Sequence, residues 1–200
     1  MRTRALGRVA YEPAWRAMQA LNAARGPDTQ DELWLLEHPP VYTLGLAGRR
    51  EHVLAPRGIP VVATDRGGQV TYHGPGQAVA YVLLDLRRRG LGVKGLVRRL
   101  EQAAIDLLAA HGIAGERRAG MPGVYVDGAK IAAVGLRVAR GCSYHGLALN
   151  ADLDLEPFAR IDPCGYPGLA CTRLADLGVR DSIDAVQHEL GAAIERQLGA

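Results

Sequence analysis

Between residues 78 and 86 the chain reads AVAYVLLDL. An unbroken apolar run of that length predicts a strand covered on both faces. Elsewhere the apolar positions fall into two other rhythms. Residues 12–25, EPAWRAMQALNAAR, space Trp15, Met18 and Leu21 or Asn22 as one face of a helix that Gly26-Pro27 ends. Residues 93–112 repeat the pattern with Val93, Leu96, Val97, Leu100, Ala104, Leu107 and Leu108, and Gly112 closes that helix. DELWLLEHPPVYTLG reads as a strand, a Pro-Pro break and a second strand, and IPVVATDRGGQVTYHG gives two short strands about a Gly-Gly kink. Asp127-Gly128 separates two β-rich runs within 123–138, a hairpin signal because a two-residue type I′ turn needs positive φ at both positions. CSYHGLALN at 142–150 supplies a further strand, and 182–198 a closing helix.

Strands arrive in runs, with helices at intervals rather than in strict alternation. That order predicts an α+β fold, a mixed β-sheet with helices packed on it. No repeat, low-complexity tract or Ser/Pro linker divides the chain, so residues 1–200 are expected to form a single domain.

Composition narrows the class. With two Trp, seven Tyr and one Phe, the core is expected to be built mainly from Ala, Val, Leu and Ile. The interrupted apolar stretches are too short to span a bilayer, and the first residues lack an apolar signal-peptide core. No membrane association and a cytoplasmic location are therefore expected. Cys142, Cys164 and Cys171 are odd in number and form no CxxC pair, which argues against a disulfide framework or a metal site. The net charge of +3 comes without any Lys/Arg-rich run interleaved with aromatics, so no nucleic-acid partner is required. A modestly basic face suits an acidic protein partner instead.

Of 24 basic side chains, only Lys94 and Lys130 are lysine. Arginine stays charged in proteins, whereas a buried lysine can lose its proton. Lys94, in a helix's first turn, is expected to be solvated. If 129–138 is a strand, Lys130 points the same way as Ala132, Val134, Leu136 and Val138. A lysine in an apolar row either snorkels to water or is a functional amine poised near neutrality.

Cys164 lies in IDPCGYPG, where Pro163 and Pro167 rule out helix interior and central strand. A thiol on such a turn is expected near a surface or cleft, and Gly165 allows close approach of a substrate to the backbone. Cys142 and Cys171 read as small packed apolar residues. Asp162 reads as a turn residue.

Taken together, RGGQVTYHGPGQ (66–77), GAKIAAVGLRV (128–138), HGLALN (145–150) and PCG (163–165) resemble the lipoyl(octanoyl) transferase family. The resemblance covers the chain from HPPVYTLG to the PCG turn, and leaves the ends, before about 38 and after about 175, generic. It implies the fold of the biotin and lipoate protein ligase catalytic domains. It also implies an activity: octanoyl (or lipoyl) transfer from acyl carrier protein, through an enzyme cysteine thioester, to a lysine of lipoyl domains. Those domains belong to 2-oxoacid dehydrogenase E2 subunits and the glycine cleavage H protein. Cys164 matches the acyl-accepting cysteine and Lys130 its paired lysine. Arg66, Gly67, Gly68, Gln69, Val70, Thr71, Tyr72 and His73 match the acyl pocket, as do Ala133, Val134 and Gly135, and Gly146, Leu147 and Ala148. His145 is expected in a supporting role, and His73 is the other titratable group beside the site. No cofactor and no metal are expected, since the acyl group arrives already activated as a thioester.

Two alternatives remain open from the residues. One is an ATP-dependent lipoate or biotin ligase, against which stands the lack of a GRGRxG-like phosphate loop. The other is a non-catalytic acyl- or carrier-binding module.

Overall fold

The computed structural model describes residues 1–162 and 168–199. Among these residues, ten strands and three α-helices follow one another. The first stretch holds β1 (Arg2–Arg8), α1 (Tyr11–Ala24), β2 (Glu32–Glu37), β3 (Val41–Leu44), β4 (Val61–Ala63), β5 (Val70–His73) and β6 (Gln77–Leu83). Then come α2 (Val93–Ala110), β7 (Glu116–Arg118), β8 (Met121–Val126), β9 (Ala129–Ala139), β10 (Cys142–Asn150) and α3 (Ile183–Leu198).

Seven strands form one mixed sheet in the order β1-β2-β6-β10-β9-β8-β7, and β4-β3-β5 form a second, small sheet. The mixed α+β sheet with packed helices expected from the sequence is what the chain builds. The Pro39-Pro40 break does more than end a strand: it sends β2 to the large sheet and β3 to the small one.

Strand β6 shows how alternation sorts the layers. Ala78, Ala80 and Val82 face one way, against Leu100, Leu107 and Leu108 of α2 and Leu190 and Ile194 of α3. Val79, Tyr81 and Leu83 face the other way, against Ala14 and Met18 of α1. All seven β6 residues are buried, which is why the run lacks polar alternation. Each fully buried leucine of this layer contributes roughly 1.5–3 kcal/mol.

The punctuation residues work as their types suggest. Gly112, with φ 73°, continues past the end of α2, and Ser182 caps α3 by accepting from the Ala185 amide at 3.3 Å. Asp127 and Gly128 take φ 47° and 86° in the β8–β9 turn. Arg140 and Gly141 repeat the device at 56° and 84° between β9 and β10, a second hairpin whose Arg-Gly pair gave no strong turn signal.

Three expectations are corrected. The sequence reading placed no strand ahead of the first helix, but Arg2–Arg8 forms β1, which pairs in parallel with β2. Val93 lies off the buried face of α2, at 45% exposure. The third correction concerns Lys130. Tyr125 pairs with Lys130 but Val124 pairs with Ala132, so β9 carries a β-bulge at Lys130–Ile131. Ile131 and Ala132 consequently both join the helix-covered core with Val124. Lys130 shares the opposite face with its partner Tyr125. The bulge therefore removes Lys130 from the row of Ala132, Val134, Leu136 and Val138.

Candidate active site

A cleft opens between the small sheet and the α1 side of the large one. Its space, open mouth included, is about 500 Å³. From the small sheet and its approach come Arg66, Gly68, Gln69, Val70, Thr71 and His73. Strand β9 gives Ala133, Val134 and Gly135, and β10 gives His145, Gly146, Leu147 and Ala148. These residues are distant in sequence: the β9–β10 hairpin joins the last two groups, and the Gly67 amide, donating to the Leu136 carbonyl (2.8 Å), brings the first beside them. Gly67 and Tyr72 stand apart from them. Gly67 borders a neighbouring groove, and Tyr72 points to the other side of β5, where it meets Phe158 edge-on at 5.5 Å.

Glycine is required at one of these positions and closely fitted at another. A Cβ on Gly146 would lie 2.0 Å from the Ala80 carbonyl oxygen. One on Gly135 would lie 3.1 Å from the Gly67 oxygen and 3.3 Å from Arg66 Cδ. The cleft wall is thus built where the glycines let backbone and the Arg66 stem come close.

Two consecutive residues tie the walls together. Asp65 reaches the large-sheet side, accepting hydrogen bonds from Trp15 Nε1 (2.8 Å), Gln19 Nε2 (3.0 Å), His145 Nε2 (3.0 Å) and the Tyr144 hydroxyl. Arg66 reaches the small sheet, donating to the Thr43 carbonyl (2.6 Å), the Thr43 hydroxyl (2.8 Å) and the Gln69 carbonyl (2.7 Å). Burial pushes the Asp65 carboxyl up, but its four donors outweigh that and hold it far below the usual carboxylate range.

Three buried histidines stand around the cleft, each in a tautomer fixed by its partners. His38 donates from Nδ1 to the Val9 carbonyl (2.6 Å), so its Nε2 accepts from the Tyr81 hydroxyl (2.7 Å). His73 donates from Nδ1 to the Gln77 side-chain oxygen (2.7 Å), because the Gln77 amide nitrogen is engaged with Asn150 Oδ1 (3.0 Å). His145 donates from Nε2 to Asp65. Burial drives His38 down to about 4. It drives His73 well below its ordinary value, and lowers His145 despite the carboxylate beside it. All three rings are neutral at pH 7.

Lys130 is 4% exposed. Its Nζ donates to the Pro122 carbonyl (3.2 Å) and lies 5.3 Å from the centre of the Tyr125 ring. Gly123, with φ 130°, leaves room for the lysine stem, since a Cβ there would come within 3.2 Å of Lys130 Cε. The Lys130 backbone is bridged to a segment that follows the PCG motif in sequence: its amide donates to Ala170 (2.8 Å) and its carbonyl accepts from Thr172 (3.0 Å). Cys171 is held in that bridge, half-buried, and Cys142 is buried at the start of β10. Lys94 is exposed at the start of α2. Cys164, with Pro163 and Gly165, lies outside the described residues.

Sequence reasoning missed Tyr11, Val79 and Tyr81, which also line the cleft. Alternation within 78–86 sets Val79 and Tyr81 on one face, but which face meets a cleft depends on pairing with β10. It also missed Asp65, whose neighbour in sequence, Arg66, carried the motif.

This fold, a small sheet beside a larger mixed one with packed helices, is shared with solved lipoate and biotin protein ligases. The chain superposes on a bi-partite lipoate protein ligase from Thermoplasma acidophilum with TM-score 0.78 and 16% identity, covering 99% of this chain and 83% of that one. On the biotin protein ligase of Aquifex aeolicus the TM-score is 0.61 with 12% identity, over 99% and 70% of the two chains. Residues 10–195 match the lipoyl protein ligase A/B catalytic domain, and the chain belongs to that family. It is similar to the octanoyltransferase of Thiobacillus denitrificans, 67% identical over 98% of this chain and 89% of the relative. That of Alkalilimnicola ehrlichii is 63% identical over 98% and 93%. Identity at this level over nearly the full length groups the chain with the octanoyltransferases, which are acyltransferases. Among the described residues no helix is long and apolar enough to cross a membrane.

Proposed function

We propose that this protein transfers an octanoyl group from the thioester of acyl carrier protein to Cys164, and from there to a lysine of a lipoyl domain. The Cys164 thiolate attacks the carrier thioester, the bond from acyl carbon to carrier sulfur breaks, and the carrier thiol leaves with the proton Cys164 gave up. The lysine amine of the lipoyl domain then attacks the enzyme thioester. An amide forms, the bond to Cys164 breaks, and the amine's surplus proton passes through Lys130 to the departing sulfur. Both steps balance without nucleotide or metal, because thioester exchange is near thermoneutral and amide formation from a thioester runs downhill.

The observation that carries this reading is the apolar cleft with glycine-backed walls, lying beside a buried lysine. Six residues line both it and the two cavities that Lys130 borders: Gly68, Gln69, Val134 and Gly135 on one side, Thr71 and Ala133 on the other. Burial favours a lysine that surrenders its proton, as a base for an incoming amine must. Further support comes from the pairing of Lys130 with Ala170 and Thr172, which ties a stretch that follows the PCG motif in sequence to the lysine's strand.

Intact-mass measurement after mixing with octanoyl carrier protein, nucleotide absent, tests it. The wild-type chain gains one octanoyl group and Cys164→Ala gains none. Absence of the adduct, or transfer that requires ATP, removes the reading.

A further inference from the structure

We infer that the rings of Tyr11, His73, Tyr81 and His145 form a fixed end wall that limits the length of the acyl chain, so that these residues set substrate specificity. The inference rests on the acyl-pocket reading above and adds to it the end at which length is measured.

The cleft has two distinguishable ends. Gly68, Gln69, Val134 and Gly135 also line the groove holding Lys130, and Thr71 and Ala133 the small cavity on that lysine's other side. That end is where an acyl carbonyl meets the reactive groups. Tyr11, His73, Tyr81 and His145 border neither of those cavities, although all four line the cleft. They make the far end, where the chain's methyl terminus arrives.

The rings pack on one another. Tyr11 stacks near His73 at 5.9 Å between centroids and near His145 at 6.5 Å, while Tyr81 meets His145 edge-on at 5.8 Å. Each ring is also pinned by a hydrogen bond away from the cleft. Tyr81 is held by His38 (2.7 Å), Tyr11 by the Thr64 hydroxyl (3.0 Å), His73 by Gln77 (2.7 Å) and His145 by Asp65 (3.0 Å). Rotating any ring aside to admit more chain breaks a buried hydrogen bond and opens a packing defect. A wall of four such rings is therefore stiffer than one of Leu or Met. The histidines are neutral, so the wall presents uncharged ring faces suited to an alkyl terminus.

A longer chain must displace a pinned ring, and a shorter one leaves a void. For a hydrophobic slot, one methylene more or less changes kcat/KM by roughly 10–200-fold.

The test is a series of hexanoyl, octanoyl, decanoyl and dodecanoyl carrier-protein thioesters, with kcat/KM measured for wild type, Tyr11→Ala, Tyr81→Leu and Ala148→Leu. Folding of each variant is checked by circular dichroism. Removing a ring moves the preference toward decanoyl and dodecanoyl chains by about tenfold or more relative to octanoyl. Ala148→Leu, which adds bulk beside Val79, moves it toward hexanoyl and decides the matter if a tyrosine variant fails to fold. The same ranking of chain lengths in all folded variants, with transfer retained, overturns the end wall and leaves the transferase reading standing. Failure of the wild type to accept any acyl group overturns both.

Discussion

His145 donates from Nε2 to Asp65 across 3.0 Å, from a backbone held at φ 60°. A non-glycine residue in the left-handed region carries strain that its surroundings must hold in place. Here the restraint is a carboxylate that also binds Trp15 and Gln19 of α1 and Tyr144 of β10. One side chain thus joins a helix, a strand and the loop that opens the cleft.

Asp65→Ala strands several part-buried donors at once. A loss of roughly 2–3 kcal/mol in unfolding free energy is expected, measured by urea titration. Octanoyl transfer should fall with it, because both the His145 ring and the loop carrying Arg66 lose their anchor. Wild-type stability in this variant would show that the four contacts are not made in solution.

The histidines give the fold a pH signature. A group whose pKa is lower in the folded than in the unfolded state binds fewer protons when folded, so stability rises with pH across the interval between the two values. His38 titrates near 4 when folded, against about 6.5 unfolded. Its contribution is complete above about pH 6.5 and is lost as pH falls toward 4, at up to about 1.4 kcal/mol per pH unit. His73 and His145, both lowered, add in the same direction. Melting temperature against pH should decline below about 6.5 in the wild type, and less steeply in His38→Asn. Parallel profiles for the two would remove His38 as a source.

Asp31 and Asp65 act at lower pH. Burial pushes the Asp31 carboxyl up, but the Asp85 amide and the arginines beside it bring it below its ordinary value. Both carboxylates are depressed in the folded state, so their stabilisation is present above about pH 4 and is lost as pH falls further. Asp31→Asn should flatten the steep acid limb of the same profile.

Lys130→Arg keeps a positive charge and removes the titratable amine. A fall in octanoyl transfer of a hundredfold or more is expected, the scale of a lost general base. On the mechanism proposed above, single-turnover acylation of Cys164, followed separately from transfer to a lipoyl domain, locates the defect. Near-normal turnover removes Lys130 from proton transfer.

Gly146→Ala drives a methyl group into the Ala80 carbonyl oxygen. The two central strands must separate, at a cost of about 1–3 kcal/mol, read from denaturant unfolding. Octanoyl turnover should drop more than stability does, since β10 forms a cleft wall at this residue.

Periodicity placed α1 and α2, because each buries one face and repeats its apolar residues accordingly, while the Asp127-Gly128 turn signal placed the strands on either side of it. The segments expected to form an acyl pocket were legible as motifs, and twelve of those residues meet around one cleft. Tyr72 was not separable from His73 in sequence; only the position of β5 above Phe158 assigns it to the other side. Tyr11 and Tyr81 carried no signal, as an aromatic in an apolar run looks the same whether it fills a core or ends a pocket.

The side taken by Lys130 shows where the division falls. Residue types determined that the segment is a strand, that its hairpin turns at Asp127-Gly128, and that a lone lysine sits among apolar neighbours. They could not determine its direction, because one additional residue in β9 relative to β8 reverses alternation, and a bulge is a property of the pairing between strands. Local conformational preference is written along the chain residue by residue. Which surfaces face each other depends on registers settled only when distant segments compete for the same backbone hydrogen bonds and the same core.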